Sequence, residues 1–151
     1  MILSDCGGYQ MVNNFIRCMR IKDEQMLLLF LLMVGQIVAT GSDDGIIRLW
    51  HTTDGEMVDT LPTGERAGID SISYSPDGSI LASSSTEINL WRLSDKQLLH
   101  TFSEKHMGRF ESVKEVVFSP NGKLIACVSE NNIIGLRRVE DGSLVKMIEK
   151  K

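Results

Sequence analysis

Several features are scarce in this sequence, and each scarcity excludes something. Cysteine occurs three times (Cys6, Cys18 and Cys127), an odd number with no Cys-x-x-Cys pair, so neither a disulfide framework nor a zinc knuckle is indicated. A reducing compartment, and hence a cytoplasmic location, is expected. Basic residues are not in excess: 16 Lys and Arg against 20 Asp and Glu give a net charge of −4 with no basic stripe, so the electrostatic footprint of a nucleic-acid binder is missing. No acidic tail offsets them. The longest apolar run, Met26 to Val34, is far shorter than the ~20 residues that span a bilayer. Asp23 and Glu24 just before it disfavour a secretory signal. Metal and catalytic signatures are absent as well. His51, His100 and His106 are not spaced as ligands, and no phosphate-binding loop or nucleophile elbow occurs. No cofactor and no metal are therefore expected.

What is present is a repeat. Gly35, Gly78 and Gly122 are followed at constant offset by Ala39, Ala82 and Ala126. Trp50 and Trp91 recur, with Arg137 at the third equivalent position. Asp54, Asp95 and Asp141 repeat in step, and Leu61, Phe102 and Ile148 close each unit. A period of 40–46 residues with this many anchors is a structural repeat. Inside each unit the apolar runs are short and bounded by turn residues. Ser-Pro-Asp-Gly (75–78) and Ser-Pro-Asn-Gly (119–122) combine a proline that presets φ with a glycine that supplies φ > 0. Asp43-Asp44-Gly45 and Asn131-Asn132 read as hairpin turns. Four strands per unit follow, near 36–41, 46–51 and 56–61 in the first, with an opening strand in the 26–31 run. In the second they fall near 69–74, 80–84, 88–93 and 97–102, and in the third near 113–118, 124–129, 133–139 and 143–148.

The stretches Ala-Thr-Gly-Ser-Asp-Asp-Gly-Ile-Ile-Arg-Leu-Trp (39–50), Tyr-Ser-Pro-Asp-Gly-Ser-Ile-Leu-Ala-Ser-Ser (74–84) with Ile-Asn-Leu-Trp (88–91), and Phe-Ser-Pro-Asn-Gly-Lys-Leu-Ile-Ala (118–126) carry a resemblance. Together they resemble the tryptophan–aspartate (WD) repeat family over roughly residues 35–151. The resemblance implies an all-β fold, a partial β-propeller of about three four-stranded antiparallel blades (26–62, 63–103 and 104–151). Residues 1–25 are a non-repeat leader of doubtful authenticity. The resemblance also implies a polar network inside each blade, for which Ser42, Asp44, Trp50, Trp91 and His106 are the structural candidates. The match is incomplete. His51 and Arg92 stand where the family's Asp follows the Trp, the second unit's turn (Thr86, Glu87) lacks the Asp, and Arg137 replaces the third Trp.

The first unit departs most. Where the others read aromatic-Ser-Pro-Asp/Asn-Gly, it reads leucines, Met33 and Val34 before Gly35. Leu29 to Val34 can be encoded CTT TTT CTC CTG ATG GTN, and the same bases read two positions later give Phe-Ser-Pro-Asp-Gly. Two readings stand. Residues before about Gly35 are a reading-frame or start-site artefact, or cross a splice or truncation boundary; or they are a divergent leader and first strand. The coding DNA separates the two.

The function implied by the resemblance is a non-catalytic protein–protein interaction scaffold, with protein or peptide partners and with further blades supplied by a longer chain or another copy. No nucleic acid and no membrane are expected. The alternatives are a segment of a propeller-based enzyme or a truncated, non-functional product. Rigid folds bind through their loops, so the expected binding residues are Glu65 and Arg66 in the 62–68 connection, and Met107, Arg109 and Phe110 in the 103–112 connection. An aromatic, a Met and an Arg close together resemble contact-patch composition. Arg137 and Arg138 are expected to be a solvated pair, and Cys127 a buried inert thiol.

Overall fold

The computed structural model describes residues 11–12, 15–17, 27–34, 37–64, 67–103 and 112–149, with side chains from residue 37 onward. The chain divides into two compact units, Met1–Ile69 and Asp70–Lys151. The first unit holds one sheet, with strands β1 (Met11–Val12), β2 (Phe15–Arg17), β3 (Leu27–Val34), β4 (Ile37–Ser42), β5 (Ile46–His51) and β6 (Met57–Pro62). The second unit holds two four-stranded sheets. One comprises β7 (Ser71–Tyr74), β8 (Ile80–Ser84), β9 (Ile88–Arg92) and β10 (Gln97–Phe102). The other comprises β11 (Val113–Phe118), β12 (Leu124–Ser129), β13 (Ile133–Arg138) and β14 (Leu144–Glu149). In every sheet, neighbours in sequence are neighbours in space and all pairs are antiparallel.

The expected strands from residue 36 onward are all present, with ends shifted by at most two residues. The first sheet differs. Part of the leader joins it: β2 pairs with β3 through Phe15 opposite Leu32 and Ile16 opposite Leu31, and β1 pairs with β2, giving six strands. The edge of β3 offers unpaired N–H and C=O groups, and Phe15-Ile16 is a sequence of high strand propensity. The opening strand also runs longer than expected, through Val34, which pairs with Ile37. Without the Ser-Pro-Asp chemistry nothing bends the chain before Gly35, so the leucine run stays extended.

The other two sheets show that chemistry. At the start of the second sheet, Ser75 Oγ donates to Asp77 Oδ1 at 2.6 Å and accepts from the Ile80 N–H at 2.9 Å. The third sheet repeats it atom for atom: Ser119 Oγ donates to Asn121 Oδ1 at 2.7 Å and accepts from the Leu124 N–H at 3.0 Å. The Asp-Gly positions are equally regular. Asp54, Asp95 and Asp141 each accept from the backbone N–H two residues on, at 2.9, 3.2 and 2.8 Å. The intervening residues Gly55, Lys96 and Gly142 all take positive φ, at 73°, 60° and 69°. Each is an Asx turn leading into the sheet's outermost strand, and each is followed by a register shift in the ladder behind it.

In the first unit Ala39, Ile47, Leu49, Leu61 and Ile69 are buried. The approach is close enough that a Cβ on Gly41 would lie 2.6 Å from the Ile69 Cγ2. In the second unit the two sheets share one core. Ala82, Ile88 and Leu90 from the second sheet meet Val113, Val116, Phe118, Ile125 and Cys127 from the third. Burial of this apolar face is the main stabilising term.

Candidate functional site

Loops grow from this frame, and their stems decide how firmly they are held. Consider first the 103–112 connection. At its far end the Ser112 hydroxyl donates to Asp70 Oδ2 at 2.8 Å, the Val113 N–H to Ser85 O at 2.7 Å, and the Lys114 ammonium to Asp70 Oδ1 at 3.4 Å. At its near end Phe102 lies beneath the guanidinium of Arg137, 5.6 Å from the ring centroid. His100, stacked on Phe102, bonds Glu140 O through Nε2 at 3.0 Å. Both stems are therefore tied across two sheets. The 62–68 connection is tied in the same manner. The Thr63 hydroxyl donates to Gly45 O at 2.9 Å, and the Ile69 N–H donates to Ser42 O at 3.0 Å. Glu65, Arg66, Met107, Arg109 and Phe110, the residues expected to bind, lie outside the described residues, as does His106.

The four remaining structural candidates are described, and they do not form the expected chain. Trp50 Nε1 donates to Thr40 Oγ1 at 2.9 Å, not to Ser42. Trp91 Nε1 points at Ser83 Oγ, 3.4 Å away. Thr40 and Ser83 are equivalent positions of the repeat, on the strand before each Trp, one pair diagonal to it. Cross-strand geometry thus selects the partner. Asp44 is engaged elsewhere. It accepts from the Ile46 N–H at 3.0 Å and pairs with the Arg48 guanidinium at 2.6 Å. The Arg48 hydrogen bond holds the Asp44 carboxyl below its ordinary range. Gly45 completes the hairpin at φ 74°, so Asp43-Asp44-Gly45 is a turn.

Arg137 is a correction. It is not solvated but buried, at 7% exposure, and its Nη1 donates to Gly142 O at 2.9 Å. It takes the Trp position with its charge offset by the Phe102 ring face and a carbonyl. Arg138 beside it is exposed. The change extends one strand further, because Cys127 stands where Thr40 and Ser83 stand. Its thiol donates to Gly135 O at 3.3 Å, just as Thr40 Oγ1 points to Arg48 O. An Arg needs no hydroxyl acceptor, so a small thiol serves. Cys127 is a free, buried thiol.

A second regularity was not anticipated. Met57, Leu98 and Leu144 are equivalent and exposed, and each lies opposite Trp50, Trp91 or Arg137 on the neighbouring strand. A cross-strand neighbour shares a face, so each covers the large residue beneath it. The constant spacing from Asp54, Asp95 and Asp141 was the available signal.

Among the described residues, no group of three or more His, Cys, Asp or Glu is placed to hold a metal ion. No helix among them is long and apolar enough to cross a membrane.

Asp77 carries a pH dependence. The Ser75 hydroxyl, the Ser79 N–H and the Ser79 hydroxyl all bond its carboxylate and lower its pKa. A depressed folded-state pKa stabilises above the unfolded value, near 3.9, and that contribution is lost as pH falls through the folded value. Asn121 makes the equivalent bonds without a charge. We expect Asp77→Asn to leave the urea midpoint at pH 7 nearly unchanged and to flatten its fall below about pH 4. An acid limb as steep as that of the parent would contradict this assignment.

Comparison with known proteins now decides the family. Residues 72–151 match the family model described as the anaphase-promoting complex subunit 4 WD40 domain, and residues 32–51 match that of the WD domain, G-beta repeat. The chain belongs to the WD40 family. It is similar to nuclear distribution protein nudF 1 of Talaromyces marneffei, with 32% identity over 117 residues covering 74% of this chain and 24% of that protein. It is also similar to meiotic recombination protein rec14 of Schizosaccharomyces pombe, with 30% identity over 113 residues covering 74% of this chain and 36% of that one. This WD40 chain thus spans between a quarter and just over a third of the length of these two relatives. Among solved structures, the RRP9 WD40 repeats superpose with a TM-score of 0.69 at 20% identity, over 76% of this chain and 36% of that one. U3-55K gives 0.68 at the same identity and coverage. These likenesses concern the fold: each WD40 blade is one of the sheets described above, and the chain is a partial all-β propeller.

Proposed function

We propose that this WD40 chain is a non-catalytic protein–protein interaction scaffold in the cytoplasm. Its partners are proteins or peptides, not nucleic acid or membrane, and they engage the loops that carry Glu65 and Arg66 and that carry Met107, Arg109 and Phe110. One observation supports this reading above the rest: the stems of both loops are tied to the sheets by backbone and side-chain bonds. A loop held at both ends loses little conformational entropy on binding, which is the cost that usually weakens loop-mediated recognition. Aromatic and Arg side chains are the residue types that dominate contact energies.

The test is affinity capture from a cell extract with the parent chain and two variants, Arg109→Ala/Phe110→Ala and Glu65→Ala/Arg66→Ala. The first variant is expected to reduce partner recovery by about tenfold or more, with an unchanged thermal midpoint. Recovery equal to the parent's with both variants would remove the loops from the binding surface.

A further inference from the structure

The repeat allows one face of the third sheet to be compared with its equivalent in the second. In the second sheet this face carries Ala82, Ile88 and Leu90 with Ser71 and Ser84, all at most 2% exposed, and the third sheet covers it. In the third sheet the same register positions are Ala126, Ile134, Leu136, Glu115 and Val128. Nothing described covers them. Val117 and Ile148 on this face are 47% and 43% exposed, and Val128, Ile134 and Leu136 are half-buried. An apolar stripe across four strands is more than a soluble surface ordinarily leaves bare.

The substitutions indicate what covers it. On the covered face the inner strand is lined with serines, Ser71 and Ser73, and the Ser71 hydroxyl accepts from the Val116 N–H of the covering strand at 3.4 Å. That packing depends on small side chains at the inner strand. On the bare face those positions are Glu115 and Val117, and Ser84 has become Val128. A further sheet stacked as the third stacks on the second would meet this added volume. The face is thus more apolar than its covered counterpart and altered where the next repeat would seat. It is also self-complementary in charge. Glu115 lies on β11 at one side and Lys146 on β14 at the other, in adjacent rows. A two-fold axis along the strands would lay β11 over the partner's β14, bringing Glu115 to the partner's Lys146 twice while the apolar rows meet between them.

We propose that this face of the third sheet, centred on Ile134 and Leu136, is the interface of a homodimer, and that a second copy of this chain covers it. Sedimentation velocity on the full chain over about 1–100 µM should show a concentration-dependent dimer. Leu136→Asp should raise its dissociation constant at least about tenfold. Glu115→Lys should weaken it by about threefold or more, and adding Lys146→Glu should restore it. The charge pair is exposed, so this arm does not depend on whether Leu136→Asp folds. A chain that stays monomeric throughout, a dimer indifferent to Leu136→Asp in a folded variant, or a charge swap without rescue would each overturn the proposal.

Discussion

Leu90→Ala should be among the most damaging single truncations in the second unit, costing about 2–5 kcal/mol. Leu90 is fully buried among Ala82, Ile88, Val113, Val116, Phe118, Ile125 and Cys127, with both sheets closing on it. Close packing on every side limits how far the site can collapse, so the cavity persists. Leu136→Ala provides the control. Leu136 holds the same register position one sheet later but is only half-buried. Water already reaches part of it, and little cavity can form, so the expected cost is about 1 kcal/mol at concentrations where the chain is monomeric. Urea unfolding reads both through the midpoint at unchanged slope. A domain of this size is stabilised by only about 5–15 kcal/mol, so the two variants should separate clearly. Equal shifts would mean that the third sheet does not protect the second in solution.

The contrast between those leucines was half legible in the sequence. Their equivalence was readable from the Gly, Ala and Asp spacing, because the repeat keeps its turns by local chemistry. A Ser and an Asp or Asn two residues apart, or an Asp before a Gly, form their hydrogen bonds wherever they occur. That is why the strands from residue 36 onward could be placed within two residues. What depended on other strands was not readable. Sequence adjacency suggested Ser42 and Asp44 as partners of Trp50, whereas the ladder places Thr40 beside the indole and gives Asp44 to Arg48. Arg137 looked solvated because arginine usually is, and only the ring of Phe102 and the carbonyl of Gly142 explain its burial. The leader's pairing with β3 left little trace in the sequence, since two- and three-residue strands have no periodicity to detect. The candidate loops were legible as composition. Their anchoring through Asp70, Ser112 and Lys114 joins residues more than forty positions apart, and no local pattern announces such a contact.

Gly142→Ala and Gly55→Ala should differ although they are the same substitution in the same turn. Both glycines follow an Asp in an outer Asx turn, with φ of 69° and 73°. The left-handed backbone costs an L-residue about 1–2 kcal/mol. Lys96 already bears that cost at the third equivalent site, at φ 60°. The backbone term is therefore common to both variants and tolerable. The surroundings are not common. A Cβ on Gly55 would meet nothing within 4 Å, whereas one on Gly142 would lie 2.6 Å from Cδ1 and Cε1 of Phe102. Phe102 cannot readily yield, because Arg137 lies over its ring and donates to the very carbonyl of Gly142. Gly142→Ala must therefore push the ring, the guanidinium or the turn out of place. Overpacking of this kind adds about 1–3 kcal/mol, for an expected total of about 2–4 kcal/mol against about 1–2 for Gly55→Ala. A double-mutant cycle isolates the cause. Phe102→Ala removes the obstructing ring, so Gly142→Ala in that background should cost no more than Gly55→Ala does in the parent. If the full cost persists without the ring, the backbone alone sets it, and the contact between Phe102 and the β13–β14 turn carries no stability.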